Sequence, residues 1–505
     1  MKPISRREFL RTLGYGAASI AGGRLLSACN AFSPAQPTIP FSGEPDVEIR
    51  LTAQPGQQAI LPGAQTEVWR YHAEVLRGPA ESILTLPDSY LGPIFNLRTG
   101  TNLRVHFVNQ LPEESIVHWH GLHVPEHDDG HPRLVVGSGE SHTYNFKVMD
   151  RAGTYWYHPH PHGRTAPQVY RGLAGLFLIH NDEEEALSLP AGDRDLPIVI
   201  QDRVFDGDNQ LVYDPSVMGM YGDRILVNGK PDFDIEVDRG AYRLRLMNGS
   251  NARIYKLAWE VGSPLQVIGT DGGLLERPLA RDFVTLAPAQ RLDVWVDFRR
   301  WEAGETVRMV KLSSAAVGGG DRFPILTASL RQSPREEAAL PKVFPSHESL
   351  GLGDAVNAKD PRVFELGMGM GMRWMINGRT FEMTDVARDE KVQLGDVEVW
   401  EFVNQGMGGG MMMGGMGQQA HPKHIHGLQF KVLGRQVDPR DAAVFDSLKD
   451  GLVDEGWHDT LLVIPGERVR ILLRFTDFSG LYLYHCHNLE HVDMGMMRNY
   501  GCGSL

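Results

Sequence analysis

The most informative segment of the chain lies near its end and reads Tyr484-His485-Cys486-His487-Asn488-Leu489-Glu490-His491-Val492-Asp493-Met494-Gly495-Met496. Alternate side chains of a β-strand point to opposite faces, so His485 and His487 share one face while Cys486 points to the other. Cys486, His491 and Met496 offer a thiolate, an imidazole and a weak thioether, the ligands of a blue-copper site that still lacks one imidazole. The pattern therefore predicts that this one strand contacts two metal sites.

Three earlier segments carry paired histidines, and they read His118-Trp119-His120-Gly121, His158-Pro159-His160 and Ala420-His421-Pro422-Lys423-His424-Ile425-His426-Gly427. In the last segment His424 and His426 share one face, and His421 stands apart as the missing imidazole. The four segments, in this order, resemble the copper-binding motifs of the multicopper oxidases. The resemblance extends over most of the chain after about residue 45.

The resemblance implies four coppers per chain. Its ligand sets are His421, Cys486, His491 and Met496 for the type 1 copper, His118 and His424 for the type 2 copper, His120, His158 and His487 for one type 3 ion, and His160, His426 and His485 for the other. It also implies that a donor passes single electrons to the type 1 site. Cys486 is bonded through the backbone to His485 and His487, and so gives those electrons a short path to the cluster that reduces O2 to water.

A carboxylate near the cluster is also implied, and Asp129 matches that position as a catalytic proton relay. The alternative is that Asp129 only forms the turn before Gly130. A second acid, often a glutamate directly after the last type 1 histidine, is replaced here by Val492, for which Glu490 or Asp493 are the candidate substitutes. Four further histidines have no assigned role and are expected to be structural or at the surface: His123, His127, His131 and His162.

Internal repetition predicts the architecture. The alternating run from Thr99 to Asn109 returns from Arg239 to Asn248 and from Leu394 to Asn404, which indicates three similar all-β domains. Short alternating runs between turn residues favour β-sandwiches, and the family's domain is a cupredoxin-like Greek key. The expected bounds are 45–182, 190–340 and 355–505. The middle copy has no histidine where the outer copies have them, so it is expected to act as a spacer.

Residues 1–29 are predicted to form a twin-arginine signal peptide. They begin with Ser5-Arg6-Arg7-Glu8-Phe9-Leu10-Arg11 and continue into a weakly apolar Gly/Ala run. Leu26-Ser27-Ala28-Cys29 resembles a lipoprotein box in which Cys29 is lipidated, and the alternative is a free cysteine in a discarded signal. Residues 30–44 would then be a linker. The Tat export machinery, a periplasmic or cell-surface location, and membrane contact only through Cys29 are therefore expected.

Charge and cysteine content limit the partners of the chain. The formal net charge is −13, so no basic surplus is present to neutralise the phosphates of a nucleic acid. With three cysteines, of which Cys486 is assigned to copper and Cys29 to processing, a disulfide framework is excluded. Cys502 is expected to be an exposed thiol. The protein is expected to be a monomer that meets O2 and a small electron donor.

A Gly/Met-rich run directly before His421 bears on the substrate. It contains Met407, Met411, Met412, Met413 and Met416. Glycine contributes no packing, so the run does not resemble a core element, and thioethers suit soft Cu(I). We therefore expect a cuprous oxidase of the copper-tolerance type. The alternatives are laccase-type oxidation of phenols and aromatic amines, and, more remotely, a copper-sequestering or structural export protein.

Overall fold

The computed structural model describes residues 41, 43–314, 320–334, 339–369, 371–406 and 419–503. The strands of the first third are β1 (Val47–Gln58), β2 (Thr66–Arg77), β3 (Ile83–Leu84), β4 (Ile94–Arg98), β5 (Asn102–Asn109), β6 (Val117–His120), β7 (Ser141–Lys147), β8 (Gly153–Pro159) and β9 (Gly175–His180). Those of the middle third are β10 (Asp195–Arg203), β11 (Arg224–Val227), β12 (Asp234–Arg239), β13 (Ala241–Asn248), β14 (Tyr255–Trp259), β15 (Leu265–Thr270), β16 (Gly273–Arg281), β17 (Val284–Leu286), β18 (Arg291–Asp297), β19 (Thr306–Lys311) and β20 (Phe323–Pro334).

The strands of the last third are β21 (Arg362–Gly369), β22 (Arg373–Ile376), β23 (Lys391–Val392), β24 (Val397–Asn404), β25 (His421–Ile425), β26 (Phe430–Val437), β27 (Thr460–Val463), β28 (Glu467–Arg474), β29 (Gly480–Cys486) and β30 (Met497–Cys502). The α-helices are short: α1 (Thr165–Tyr170), α2 (Asp182–Ala186), α3 (Ala442–Asp446) and α4 (Leu489–Asp493). Single 3₁₀ turns span Ala80–Ser82, Pro132–Leu134, Gly192–Arg194, Phe298–Arg300, Leu352–Asp354, Arg388–Glu390 and Lys449–Gly451.

The strands form six sheets within the described residues, and the sheets pair in chain order. The first pair is β2-β1-β5-β7 with β3-β4-β9-β8-β6, the second β11-β10-β13-β18-β15-β16 with β12-β20-β19-β14-β17, and the third β22-β21-β24-β28-β26 with β23-β30-β29-β25-β27. Each pair encloses one apolar core to which both of its sheets contribute. The expected all-β fold of three cupredoxin-like sandwiches is confirmed, while the domain bounds stay a prediction.

The repeated strand differs in burial among its three copies. In β5 buried and partly exposed residues alternate, as the sequence pattern predicts. All residues of β13 and β24 are buried, because their charged side chains are paired inside the protein. In β13 the guanidinium of Arg245 donates to both oxygens of Asp195 at 2.7 Å, and in β24 Glu401 accepts from Arg468 and Arg470 at 2.6 Å.

The strands that carry the histidines occupy equivalent places in the first and third sandwiches. β6 and β8 are antiparallel neighbours with His118 opposite His158, and β25 and β29 are neighbours with His424 opposite His485. In the middle sandwich β14 and β19 hold these two places, and neither contains a histidine. The predicted histidine ligands therefore lie at equivalent places in the first and third sandwiches, and these places carry no histidine in the middle one.

Cys502 was expected to be exposed, and this expectation is wrong. The residue ends β30, where it pairs with Gly480 of β29, and only 2% of its surface is exposed. Burial raises the pKa of its thiol to about 12. Among the helices of the described part of the chain, none is long and apolar enough to cross a membrane.

Candidate copper centre

The predicted type 1 residues converge inside the third sandwich. The Sγ atom of Cys486 lies 3.5 Å from Nδ1 of His421 and 3.6 Å from Nδ1 of His491, and these two nitrogens lie 3.3 Å apart. All three residues are fully buried. Met496 belongs to the same apolar cluster as Cys486, and its carbonyl accepts a hydrogen bond from the Cys486 N–H at 3.0 Å.

Helix α4 places His491 within this site. Asn488 caps the helix, because its side-chain oxygen accepts from the His491 N–H at 3.4 Å. The backbone N–H of Asn488 also points to the Cys486 sulfur at 3.4 Å. One short helix thus fixes the position of an imidazole relative to the thiol five residues earlier.

The predicted type 2 pair lies between the first and third sandwiches. The Nε2 atoms of His118 and His424 face each other at 3.3 Å. Nδ1 of His118 donates to the carbonyl of Asp129 at 2.6 Å, and Nδ1 of His424 donates to the carbonyl of Asp459 at 2.8 Å. A carbonyl oxygen only accepts, so each Nδ1 carries the proton and each Nε2 presents a lone pair.

One predicted type 3 set shows the same convergence. Nε2 of His485 lies 3.0 Å from Nε2 of His426 and 3.3 Å from Nε2 of His160. Nδ1 of His426 donates to the carboxylate of Asp129 at 2.7 Å, and Nδ1 of His485 donates to the carbonyl of Cys486 at 2.9 Å. The outward nitrogens of these two rings are therefore protonated and held.

The other predicted type 3 set is His120, His158 and His487. Nδ1 of His120, Nε2 of His158 and both ring nitrogens of His487 are buried and have no hydrogen-bond partner among the described residues. The indole of Trp156 lies against all three rings, with centroids 4.3 to 5.5 Å apart. Nε2 of His120 is engaged by Asp459 at 3.0 Å, which leaves Nδ1 as its ligand atom.

These donors fit copper. Burial, and then the neighbouring imidazoles, lower the pKa of His118, His426 and His485 well below the usual value, so the rings are neutral. Neutral rings whose lone pairs face each other, as those of His118 and His424 do at 3.3 Å, repel unless a cation lies between them. Imidazole nitrogens with one thiolate and one thioether are donors that copper accepts.

Asp129, the predicted proton relay, contacts one predicted type 2 ligand and one predicted type 3 ligand. Its carboxylate accepts from His426, and its carbonyl accepts from His118. Burial, and then the nearby Glu126 and Asp128, raise the pKa of Asp129 well above its usual range. The residue therefore orients two ligands, whatever part it takes in proton delivery.

The two candidate substitutes for the absent second acid have different surroundings. Oε1 of Glu490 accepts from the amide of Asn251 at 2.8 Å and from the hydroxyl of Tyr213 at 3.1 Å. The carboxylate of Asp493 accepts from the backbone N–H groups of Thr165 and Ala166 at the start of α1. Asp493 therefore ties the first sandwich to the third, while Glu490 is held by the middle one.

Asp459 and Arg291 are functional residues that the sequence did not reveal. Asp459 accepts from His120 through its side chain and from His424 through its carbonyl. Arg291, at the start of β18 in the middle sandwich, donates through both terminal nitrogens to the Asp459 carboxylate, and both residues are fully buried. The middle sandwich, expected to act as a spacer, therefore also supports the site through this ion pair. No signal in the sequence marks Arg291, because its strand, β18, also contains Asp293 and Asp297.

The type 1 site is covered by residues from two sandwiches. The indole of Trp374 lies 4.2 Å from the ring of His491 and 5.0 Å from that of His421, and it is fully buried. Its N–H donates to the carbonyl of Val217 in the middle sandwich at 2.9 Å, and the amide of Asn488 donates to the carbonyl of Met218 at 3.0 Å. The segment Val217–Met218 is thus pinned over the site.

The remaining histidines have the structural and surface places expected of them. His131 is buried, donates to the side-chain oxygen of Asn499 at 2.9 Å, and has its pKa lowered by burial to about 4. His127 and His162 are exposed. His123 bridges the first and third sandwiches through Gly427. The predicted substrate methionines of 407–416 lie outside the described residues.

Replacing Lys423 with methionine is expected to stabilise the metal-free protein. Lys423 is fully buried opposite Cys486, and its Nζ has no hydrogen-bond partner in the part of the chain that the structure describes. Burial lowers the pKa of its ammonium to about 7, because desolvation disfavours the charge. Methionine keeps much of the length without the charge, so the thermal unfolding midpoint should rise. Lys423→Arg is the matched control and should lower it; an unchanged midpoint in Lys423→Met would contradict the prediction.

Comparisons with known proteins agree with this geometry. Two family models described as multicopper oxidase match residues 67–184 and 355–501. The chain is 33% identical to multicopper oxidase mco of Staphylococcus aureus, with 84% of this chain and 85% of that protein covered, and 30% identical to a laccase of Bacillus subtilis, with 81% and 87% covered. The crystal structure of the McoA multicopper oxidase of Aquifex aeolicus has a TM-score of 0.78 at 34% identity, and covers 94% of this chain and 100% of that one. The chain therefore belongs to the multicopper oxidases, a family of copper enzymes that use oxygen.

Proposed function

We propose that this oxidase takes electrons from Cu(I) as its substrate at the type 1 site and reduces O2 to water at the eight-histidine site, with four coppers per chain. The ligand sets are those predicted from the sequence. Convergence supports the type 1 residues His421, Cys486 and His491, the type 2 pair and the type 3 set of His160, His426 and His485. Copper at these sites would supply one-electron transfer and the binding of O2. Cys486 contributes the sulfur on one side, while its backbone continues into His485 and His487 on the other, so one strand connects the two sites.

The observation that carries this proposal is the cover over the type 1 imidazoles. His421 and His491 have no exposed surface among the described residues, and the buried indole of Trp374 lies against both. A planar aromatic donor could not contact the edge of either imidazole ring. A single Cu(I) ion is small enough to reach the site by passing from one thioether to the next. Met218 and Met368 pack against the apolar cluster that contains Cys486 and Met496. Met372 is 49% exposed on the turn before β22. Thioethers are the protein ligands that select Cu(I).

Oxidation of phenols and aromatic amines is the second candidate. Relatives in two Bacillus species carry the name laccase and are 30 and 31% identical to this chain. Steady-state oxygen consumption by the copper-loaded enzyme separates the two candidates, with Cu(I) and with a phenol as donor, each measured with and without added Cu(II). Rapid Cu(I) turnover, with phenol turnover that requires added copper, supports the proposal. Rapid phenol turnover without added copper overturns it.

Deleting residues 407–416 is expected to lower Cu(I) oxidation much more than phenol oxidation. The deletion removes five thioethers from the run that precedes His421, and Cu(I) prefers sulfur donors whereas phenols do not need them. The described residues on either side of the run are joined to each other, because the amide of Asn404 donates to the carbonyl of Gln419 at 2.7 Å. A variant in which the five methionines become leucines is the matched control for loop length. Equal losses with both donors would show that the methionines do not select the substrate.

We also propose that the protein is exported by the twin-arginine route to the periplasm or cell surface, where it works as a monomer. The paired Arg6 and Arg7 support the export route, and Cys29 supports a lipid anchor, although both lie outside the described residues. Mass analysis of the mature N-terminus tests the anchor. A diacylglyceryl adduct on Cys29 supports it, and a chain that begins beyond Cys29 excludes it.

A further inference from the structure

The two His-x-His-Gly segments, which begin on β6 and β25, correspond in sequence for one residue more, a leucine. The next residue is His123 in the first segment and Gln429 in the second. Each of these side chains reaches across to the opposite segment. Nδ1 of His123 donates to the carbonyl of Gly427 at 2.5 Å, and the amide of Gln429 donates to the carbonyl of Gly121 at 3.4 Å. Each glycine directly follows a predicted type 3 ligand. The two segments therefore hold each other reciprocally.

The hydrogen bonds of His123 require a charged ring. Its Nδ1 faces a carbonyl oxygen, and its Nε2 faces the carboxylate of Asp477. Both oxygens only accept, so both ring nitrogens must carry a proton, which makes the ring an imidazolium. The ring packs against Phe478 with centroids 4.7 Å apart. The hydroxyl of Thr476 donates to Asp477 at 2.7 Å and lies 3.3 Å from Nε2 of His123.

The charges around His123 favour the protonated form. Besides Asp477, the nearby acid is Asp150, whose carboxylate accepts from the backbone N–H of His123 at 3.1 and 3.2 Å. Burial alone lowers the pKa of His123, but Asp477, the Gly427 carbonyl and Asp150 outweigh it and raise that pKa above its usual value. Burial raises the pKa of Asp150 to about 6.

The nearby cation, Arg151, contacts Gln429 and not His123. Arg151 follows Asp150 in the chain, and its guanidinium donates to Oε1 of Gln429 at 2.7 Å. This bond fixes the orientation of the Gln429 amide, whose nitrogen then points to Gly121. Gln429 is neutral at every pH, so one half of the contact depends on protonation and the other does not.

We propose that His123 and Gln429 form a clasp, two positioning residues that hold the type 3 ligands His120 and His426 in register between the first and third sandwiches, and that the His123 half closes only when its ring is protonated. The inference rests on the proposed ligand sets, because His120 and His426 are assigned there to different type 3 ions. The inference goes beyond the ligand sets because it makes copper retention at the site depend on the protonation of His123, which is not a ligand. The clasp acts through Gly121 and Gly427, not by contact with substrate.

The sign of the pH dependence follows from linkage. A histidine whose folded pKa lies above its unfolded value adds stability that is fully present below the unfolded pKa and is lost as the pH rises through the folded pKa. The clasp should therefore loosen as the solution becomes alkaline. Charged hydrogen bonds of this kind are strong enough to change an opening equilibrium by about tenfold.

Copper retention by the loaded enzyme tests the clasp. Wild type, His123→Gln and Gln429→Leu are incubated with a chelator between about pH 5.5 and about pH 9, on either side of the usual histidine pKa, and the protein-bound copper is measured over time. Wild type should lose copper about tenfold faster at the alkaline end. His123→Gln replaces the titrating ring with an amide that is neutral at every pH, like that of Gln429. Its rate of copper loss should therefore not increase at the alkaline end. Gln429→Leu should lose copper faster at every pH but keep the increase at the alkaline end.

Thermal unfolding of the metal-free proteins separates failure of the clasp from failure of the proposed function. The pH profile of the unfolding midpoint depends on His123 whether or not Cu(I) is the substrate, whereas oxygen consumption tests the substrate alone. A wild-type midpoint that falls toward alkaline pH, with a smaller fall in His123→Gln, supports the clasp. Parallel profiles of wild type and His123→Gln, in unfolding or in copper retention, overturn it.

Discussion

Cys486→Ser is expected to abolish the blue colour and the oxygen consumption of the copper-loaded enzyme together. The Cys486 sulfur lies 3.5 and 3.6 Å from the two type 1 imidazoles, and a serine hydroxyl is neither soft nor ionised at neutral pH. Serine has nearly the same size, so the fold should survive. We expect bound copper to fall by one equivalent per chain and turnover to fall by at least about a thousandfold. Copper analysis, visible absorption and oxygen uptake measure the three effects.

Cys502→Ser is the matched control. Its thiol is also buried in the third sandwich, but it lies at the far end of β30 and belongs to no group of converging ligand atoms among the described residues. Colour, copper content and turnover should therefore stay at the wild-type level. A Cys486→Ser protein that keeps its colour or its turnover would refute the assignment of the type 1 site.

Asp459→Asn is expected to weaken copper binding and destabilise the fold at the same time. The variant removes the charge that holds His120 and leaves the fully buried guanidinium of Arg291 without its main counter-ion. Loss of one partner of a buried ion pair costs about 3 to 5 kcal/mol. Loss of a carboxylate that orients a metal-binding histidine weakens metal affinity by about 10- to 100-fold. Unfolding midpoints and copper retention against a chelator measure the two effects separately.

Asp271→Asn distinguishes orientation of the ligand from general stability. Asp271 accepts from the backbone N–H of Arg291 at 2.7 Å and lies 3.3 Å from its guanidinium, but it makes no bond to His120 among the described contacts. This variant should lower the unfolding midpoint while copper retention stays close to wild type. Equal loss of copper in both variants would mean that Asp459 acts only through stability.

The ligand motifs could be predicted from the sequence because their logic is local. His485 and Cys486 are the last two residues of β29 and His487 follows directly, so the two-residue period of a β-strand was enough to separate Cys486 from the two histidines. The contacts of Arg291 could not be predicted in this way. Its partner Asp459 is 168 residues away, and only the packing of two sandwiches brings them together.

The same limit applies to the supporting contacts of the middle domain. The absence of histidines from β14 and β19 was the one pattern that the sequence offered there. It carried no information about support, which comes from single side chains such as Asn251 and Arg291 and from the backbone of Met218. Lys423 was overlooked for another reason: a lysine between histidines gives no sign that its charge will be buried.

The division of the histidine site between the two ends of the chain has a consequence for biosynthesis. His160 and His424 lie 264 positions apart in the chain, so the first four imidazoles of the histidine site leave the ribosome well before the other four. With synthesis at about 5 to 20 residues per second, and with N-terminal domains folding first, this interval lasts at least about 13 to 53 s. During that time the nascent chain presents half a site, which other divalent metals can occupy because imidazole binds many of them. We therefore expect metal loading of the completed chain to be more selective for copper than loading during synthesis.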